Sequence, residues 1–334
     1  MSGLDYGFFN FKSLKATYVF KFLSVLVCAT WSGISVKYVY FDDNDGIIIW
    51  FYEFLAKYVT TVLYLVSIKP YTSFHSYFYK LYSIDTTYGV DATSFNIELK
   101  ILCMSFSFVA LRLTVNTLYF LIDPDFFFKP LLVSVIYLAI FICSDILLIL
   151  YTFIFYATNC RLKNLSSILM QPNTDYSSIQ MIYKLYIDNI EISKKYFDAL
   201  FIIFLIFNVP EIMATIYISV SKMREQNISV YGFWWSLDKL LVMEALLLTF
   251  APAICAGMLT TEANQIQIIL HDKLLQEREP IKVREIERFI RYVEARPCRF
   301  RVWKVIPLDA DLLGMVLSFC VTYLIVIIQF THVY

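Results

Sequence analysis

"LLVSVIYLAIFICSDILLILYTFIFYA", Leu131 to Ala157, decides the fold of this chain. Its single charge is Asp145. A helix needs about 20 mostly apolar residues to cross a hydrocarbon layer roughly 30 Å thick. Only helices and closed barrels satisfy their own backbone groups there, so the stretch reads as a spanning helix. The whole composition agrees. Apolar residues make up 59% of 334 positions and charged residues 17%, whereas soluble domains carry roughly 45–50% and 25%. Aromatics reach 18%, with 25 Tyr and 30 Phe, which suits lipid-facing and interfacial surface.

Working outward, six further stretches have the same character, near residues 17–38, 47–68, 99–122, 199–220, 233–258 and 309–331. With 131–157 they predict an all-α polytopic membrane protein of seven transmembrane helices, forming one domain over 1–334. The connections carry the turn and charge signals "FDDNDG", "KPYTSF", "DPDFFFK", "RLKNLSS", "KMREQNISVYG" and the basic stretch from His271 to Lys304. Lys12, Lys15 and Lys21 before "FLSVLVCATWSG" give the first stretch an alternative reading as a secretory signal peptide. About twenty residues precede it and no small-x-small cleavage site follows directly, which favours a span.

Orientation follows from Lys and Arg in short loops. With the amino terminus inside, nineteen of them fall on the cytoplasmic side, ten between Lys273 and Lys304. Only Lys129, Lys222 and Arg224 fall outside. The carboxyl terminus is then extracellular, the reverse of a G-protein-linked receptor. The sequon Asn227-Ile228-Ser229 falls in an outer loop, where it would be open to glycosylation. Residues 176–198 and 262–275 keep apolar residues at helical spacing, so they read as cytosolic extensions of the fifth and sixth spans. After Pro280, the stripe Ile286, Phe289, Ile290, Val293 predicts an amphipathic helix ending near Pro297. It either packs on those extensions, in a cytosolic anchor from about 158–198 and 260–307, or lies on anionic lipid.

Chemistry-bearing groups are scattered. His75, His271 and His332 lie in separate segments, and no nucleophile constellation or HExxH is present. The seven Cys form no CxxC. No enzyme, cofactor, structural metal, disulfide framework or nucleic-acid partner is expected. Ionisable residues within spans are costly and therefore informative. Glu53 and Lys57 stand one turn apart and can pair. Arg112, Asp145, Glu211, Asp238, Lys239 and Glu244 need partners on other helices or a water-filled cavity. Each reads more readily as half of a structural ion pair than as a functional group. Asn116, Tyr119, Tyr217, Trp234, Trp235 and Asp238 fall in the outer halves and, with Arg112, Asp145 and Glu211, form a candidate small-molecule pocket. Trp and Tyr at these depths also serve as plain interfacial anchors.

The last span ends in "TYLIVIIQF", Thr322 to Phe330. Thr-Tyr, five apolar residues and Gln-Phe at the carboxyl end resemble the signature of insect gustatory receptors. The approach through Leu308, Asp309, Leu312 and Leu313 is similar as well, and it departs from the family at Lys304 and Ile306, where Gly and Phe are frequent. The resemblance implies a ligand-gated, non-selective cation channel in the plasma membrane. Four identical or related subunits would line one pore with their last helices, about 309–331. It places Gln329 and Phe330 at the gate, with Thr322 and Tyr323 holding the helix. A ring of Phe side chains can close a pore by dewetting, and Gln amides turned inward would readmit water. The plain alternative is a Gln that snorkels and a Phe that anchors at the interface. The ligand would be a small tastant. More aromatic than amide surface leans toward bitter or other plant secondary compounds over sugars. A secondary transporter, or a G-protein-linked receptor with inverted topology, remains the alternative.

Overall fold

The computed structural model describes residues 74–89, 97–122, 131–172, 174–225, 228–302 and 306–333. The first two expected spans, the pair Glu53 and Lys57, and the sequon residue Asn227 lie outside them. The described elements are helices α1 (Phe74–Tyr88), α2 (Ile97–Ile122), α3 (Leu131–Leu169), α4 (Tyr176–Glu225), α5 (Ile228–Gln276) and α6 (Pro280–Ala295). A two-strand hairpin of β1 (Arg301–Val302) and β2 (Ile306–Pro307) and helix α7 (Ala310–Val333) follow. Among the described residues the fold is all-α apart from this hairpin, in which Arg301 pairs with Pro307 and Val302 with Ile306.

Helices α3, α4 and α5 are 39, 50 and 49 residues long. At about 1.5 Å per residue they span roughly 58–75 Å, far more than one hydrocarbon layer. Each therefore has a membrane-length half and a second half that packs elsewhere. "RLKNLSS", expected as a connection, is instead part of α3. The reason is a stripe at Thr158, Leu162, Leu165 and Leu169, all buried, which keeps helical period among the polar residues. Much of "KMREQNISVYG" is likewise helical, up to Glu225 and again from Ile228. Helix α1 occupies a stretch expected to be a loop. Its inner face, Tyr77, Leu81 and Asp85, repeats every four residues and is fully buried. Among the described residues, Met243–Gln276 is long and apolar enough to cross a membrane, and Ala310–Tyr323 is a shorter apolar helix.

The carboxyl-terminal halves of α3 and α5 and the amino-terminal half of α4 form one core with α6. Ile286, Phe289, Ile290 and Val293 are its buried face, and the Phe289 ring meets Tyr183 of α4 edge-on at 5.6 Å. This face covers protein rather than lipid. Each such side chain contributes about 1.5–3 kcal/mol by leaving water. At the end of α6, Arg296 donates to Asp188 at 2.6 Å, to Glu191 at 2.6 Å and to the Tyr292 hydroxyl at 3.0 Å. These acceptors, Asp188 foremost, hold its proton more tightly than usual. The side chain is partly exposed, so screening keeps the pairs modest. Asp175 caps α4 by accepting from the backbone N–H groups of Ser177 and Ser178 at 3.1 and 3.3 Å.

Helix α1 is fastened by a polar network. Arg161 Nε of α3 donates to both Asp85 oxygens at 3.1 and 3.0 Å, and the Tyr186 hydroxyl of α4 donates to Asp85 at 2.7 Å. Burial, and after it the neighbouring Asp85, pushes the Tyr186 phenol well above its ordinary value, so it remains a donor. The Tyr77 hydroxyl donates to the Ile154 carbonyl at 2.8 Å, and Asn189 donates to the Tyr77 carbonyl at 3.1 Å. Three helices are thereby joined through buried groups that each need these partners.

Candidate functional site

The hairpin delivers the chain into α7. Leu308 N–H donates to the Phe300 carbonyl at 2.9 Å, Phe300 stacks edge-on against Phe155 of α3 at 5.1 Å, and Thr260 of α5 donates to the Cys298 carbonyl at 2.8 Å. The Asp309 carboxylate then accepts from Asp311 N–H at 3.1 Å, capping the new helix. Helix α7 starts fixed to the core and leaves it as it proceeds.

Its rotational register is the main finding. Leu312 and Cys320 are buried, with Leu313 and Val316 packed beside them. At about 100° per residue these four share one face of the helix. On the opposite face lie Asp311, Ser318, Thr322 and Gln329, all exposed in the single chain. Residues 311 and 329 are 18 apart, five full turns, and 318 and 322 fall within about 20° of that line. Four polar residues of this largely apolar helix thus form one straight stripe, turned away from Leu313, Val316 and Cys320, while Tyr323 lies about 120° from it. Apolar residues flank the stripe and are also uncovered, among them Leu317, Phe319, Val321 and Val326. Thr322 donates to the Ser318 carbonyl at 2.8 Å within α7. Tyr323 is 51% exposed and stacks on Phe319 at 5.7 Å. Phe330 is helical, and its side chain lies outside the described residues.

A second group meets inside the bundle. Arg112 of α2 donates to Asp145 of α3 at 2.6 and 3.4 Å, and Glu244 of α5 approaches the same guanidinium nitrogen at 3.4 Å. All three are buried. Of the sequence-predicted pocket residues, Arg112 and Asp145 are therefore brought together, in the ion-paired arrangement that was the plainer reading. Glu244 joins them, although only its need for a partner was readable from the sequence. Asn116, Tyr119, Glu211, Tyr217, Trp234, Trp235 and Asp238 lie on described helices, with side chains outside the described residues.

Backbone directions still locate several of them. Lys100 of α2 donates to the Tyr156 hydroxyl of α3 at 2.9 Å, and Arg112 meets Asp145, so these helices are antiparallel. Lys273 donates to the Met170 and Gln171 carbonyls at 3.3 and 3.2 Å, so α5 runs parallel to α3. Asn116 and Asp238 consequently lie on the same side of the charge cluster, about 6 and 9 Å along their helices from Arg112 and Glu244. The network of Asp85, Arg161 and Tyr186 was missed from sequence. The available signal was the fourfold spacing of Tyr77, Leu81 and Asp85.

Comparison with known proteins gives consistent results. A family model described as 7tm Chemosensory receptor matches residues 9–333. The fold is similar to the insect olfactory receptor OR5 from Machilis hrabei, with a TM-score of 0.63, 13% identity, and coverage of 98% of this chain and 93% of that one. It is similar to the same receptor in complex with eugenol, with a TM-score of 0.62, 13% identity and the same coverage. No curated protein matches the sequence.

Proposed function

The chain belongs to the 7tm chemosensory receptor family, and from that premise we propose that it is a gustatory receptor working as a ligand-gated, non-selective cation channel of the plasma membrane. The observation that carries this reading is the register of Asp311, Ser318, Thr322 and Gln329 on the face of α7 opposite its buried side. A polar stripe is costly against lipid. It becomes favourable when several copies of α7 turn their stripes toward a shared, water-filled axis. The uncovered apolar flanks then have a use, because neighbouring subunits pack there. Four subunits, identical or related, complete the pore. Gln329 and Phe330 form its gate, and Thr322 and Tyr323 steady the helix just below.

The ligand is a small molecule bound among α2, α3, α4 and α5. Arg112, Asn116, Tyr119, Asp145, Glu211, Tyr217, Trp234, Trp235 and Asp238 are the candidate lining. That a structurally similar receptor has been solved in complex with eugenol supports a small organic ligand. The charge cluster anchors the floor of this region.

Cysteine accessibility tests the reading. Full-length Ser318→Cys and Thr322→Cys channels are expressed in cells and opened with a panel of alkaloids and sugars, and a cationic methanethiosulfonate is then applied. Progressive loss of the evoked current in both variants is expected, with none in Val316→Cys. Equal insensitivity of all three refutes a pore along this face.

A further inference from the structure

Asp311 belongs to neither the gate motif nor the candidate pocket. It is nevertheless five helical turns from Gln329, about 27 Å along the same line of α7. Acidic residues in a first turn often serve only the helix dipole or the cap. Here Asp309 already supplies the cap, with its Oδ1 accepting from Asp311 N–H. The Asp311 side chain is exposed, about 180° round the helix from the buried Cys320. It is the acidic member of a stripe that otherwise presents a hydroxyl at Ser318, a hydroxyl at Thr322 and an amide at Gln329.

We propose that Asp311 is the charge-selectivity residue of the conduction path. One carboxylate from each subunit would form an acidic ring at the end of α7 remote from Gln329, concentrating cations and repelling anions. The proposal rests on the reading of α7 as the pore helix. Rings of carboxylates act on permeation through their field. Hydroxyls and amides offer coordination but no net charge, so the stripe without Asp311 would solvate ions of either sign. The hairpin and the contacts of α5 fix the first turn of α7, which holds such a ring at a constant radius while the far end moves.

The field makes the test specific. Purified full-length channels are placed in planar bilayers, and unitary currents are recorded in dilute and in concentrated salt. The Debye length shrinks from about 30 Å at 0.01 M to about 3 Å at 1 M, so Asp311→Asn should lower cation conductance by about half in dilute salt and barely at all in concentrated salt. Asp311→Glu should keep the wild-type conductance. Asp311→Lys should move the reversal potential in a salt gradient toward that of chloride. A cap weakened without loss of charge, as in Asp309→Glu, changes stability and leaves the salt dependence alone. Wild-type conductance of Asp311→Asn in dilute salt, with Thr322→Cys still blocked by the thiol reagent, overturns the proposal and leaves the pore reading standing. Failure of the reagent to block Thr322→Cys overturns both.

Discussion

Gly257 of α5 stands so close to the start of α7 that a Cβ added to it would lie 3.3 Å from the backbone nitrogen of Ala310. The backbone of Asp309 would be 3.6 Å away. Glycine therefore sets how closely the two helices approach. Alanine gains about 1 kcal/mol of helix propensity over glycine, while overpacking costs about 1–3 kcal/mol. Gly257→Ala should end within about 1 kcal/mol of wild type as the two effects offset. Gly257→Val brings two more carbons into the contact and gains less from the helix, so it should lose about 3 kcal/mol. Thermal unfolding in detergent reads the difference. A valine variant as stable as wild type would show that the contact is loose.

The Asp85 and Arg161 pair predicts that a single change is more damaging than the double change. Removing one member of a buried pair costs about 3–5 kcal/mol, because the other charge stays buried. Asp85→Ala should therefore reduce folded protein severely. Asp85→Leu combined with Arg161→Met replaces both charges with apolar volume and should recover much of the loss. Surface labelling and melting temperature measure both. Equal damage in the single and double variants would mean that the charges matter for something beyond their mutual neutralisation.

The sequence showed some of this architecture and hid the rest for physical reasons. The stripe Ile286, Phe289, Ile290, Val293 was legible because it stands in a polar background, where periodicity is visible. In spans such as Leu131–Ala157 nearly every residue is apolar, so length reveals the helix but nothing reveals which face packs. The extension of α3 past Ala157 was obscured by Arg161, Lys163 and Asn164, which look like a loop by composition. Leu162, Leu165 and Leu169 nevertheless kept the helical period. Arg112 and Asp145 were identifiable as needing partners, but their pairing depends on helix adjacency, which no local pattern encodes. The register of Asp311 with Gln329 was countable from the start. It gained meaning only once the structure showed Leu312 and Cys320 buried on the other side.

The cap of α4 should give a pH signature. Hydrogen bonds, first from the Ser178 hydroxyl and then from its backbone N–H, lower the Asp175 carboxyl below its ordinary value. A lowered folded-state value means that the stabilisation is complete above the usual carboxylate range. It is lost as pH falls through the depressed value. Asp175→Ala should cost about 1 kcal/mol at neutral pH, and less given how exposed the group is. Melting curves of wild type and variant should converge as the medium is acidified below about pH 4. A gap that persists unchanged into acid would assign the effect to something other than the ionised cap.

Ligand recognition and conduction should separate by mutation. Asn116 and Trp234 lie on helices α2 and α5, on the side of the Arg112, Asp145 and Glu244 cluster away from Lys100 and Lys273. Asn116→Ala and Trp234→Ala are expected to shift the half-maximal ligand concentration by about tenfold each, the usual effect of losing one directed contact or one aromatic platform. Unitary conductance should stay constant. Altered conductance at unchanged potency would move these residues out of the pocket.

Gln329 and Phe330 should have opposing effects if the gate closes by dewetting. A closed pore ringed by Phe excludes water, so Phe330→Ala removes the plug and should raise resting cation leak in unstimulated cells. The polar neighbour does the reverse. Gln329 continues the exposed stripe of Asp311, Ser318 and Thr322, so Gln329→Leu makes the open path apolar at its narrowest level and should depress evoked current without raising the leak. Interfacial anchoring predicts another pattern, because a snorkelling Gln and an anchoring Phe act on insertion depth. Both substitutions would then reduce surface abundance in parallel and leave the current per surface-labelled channel unchanged. Normalising leak and evoked current to labelled protein distinguishes the two, and a constant ratio in both variants removes Gln329 and Phe330 from the gate.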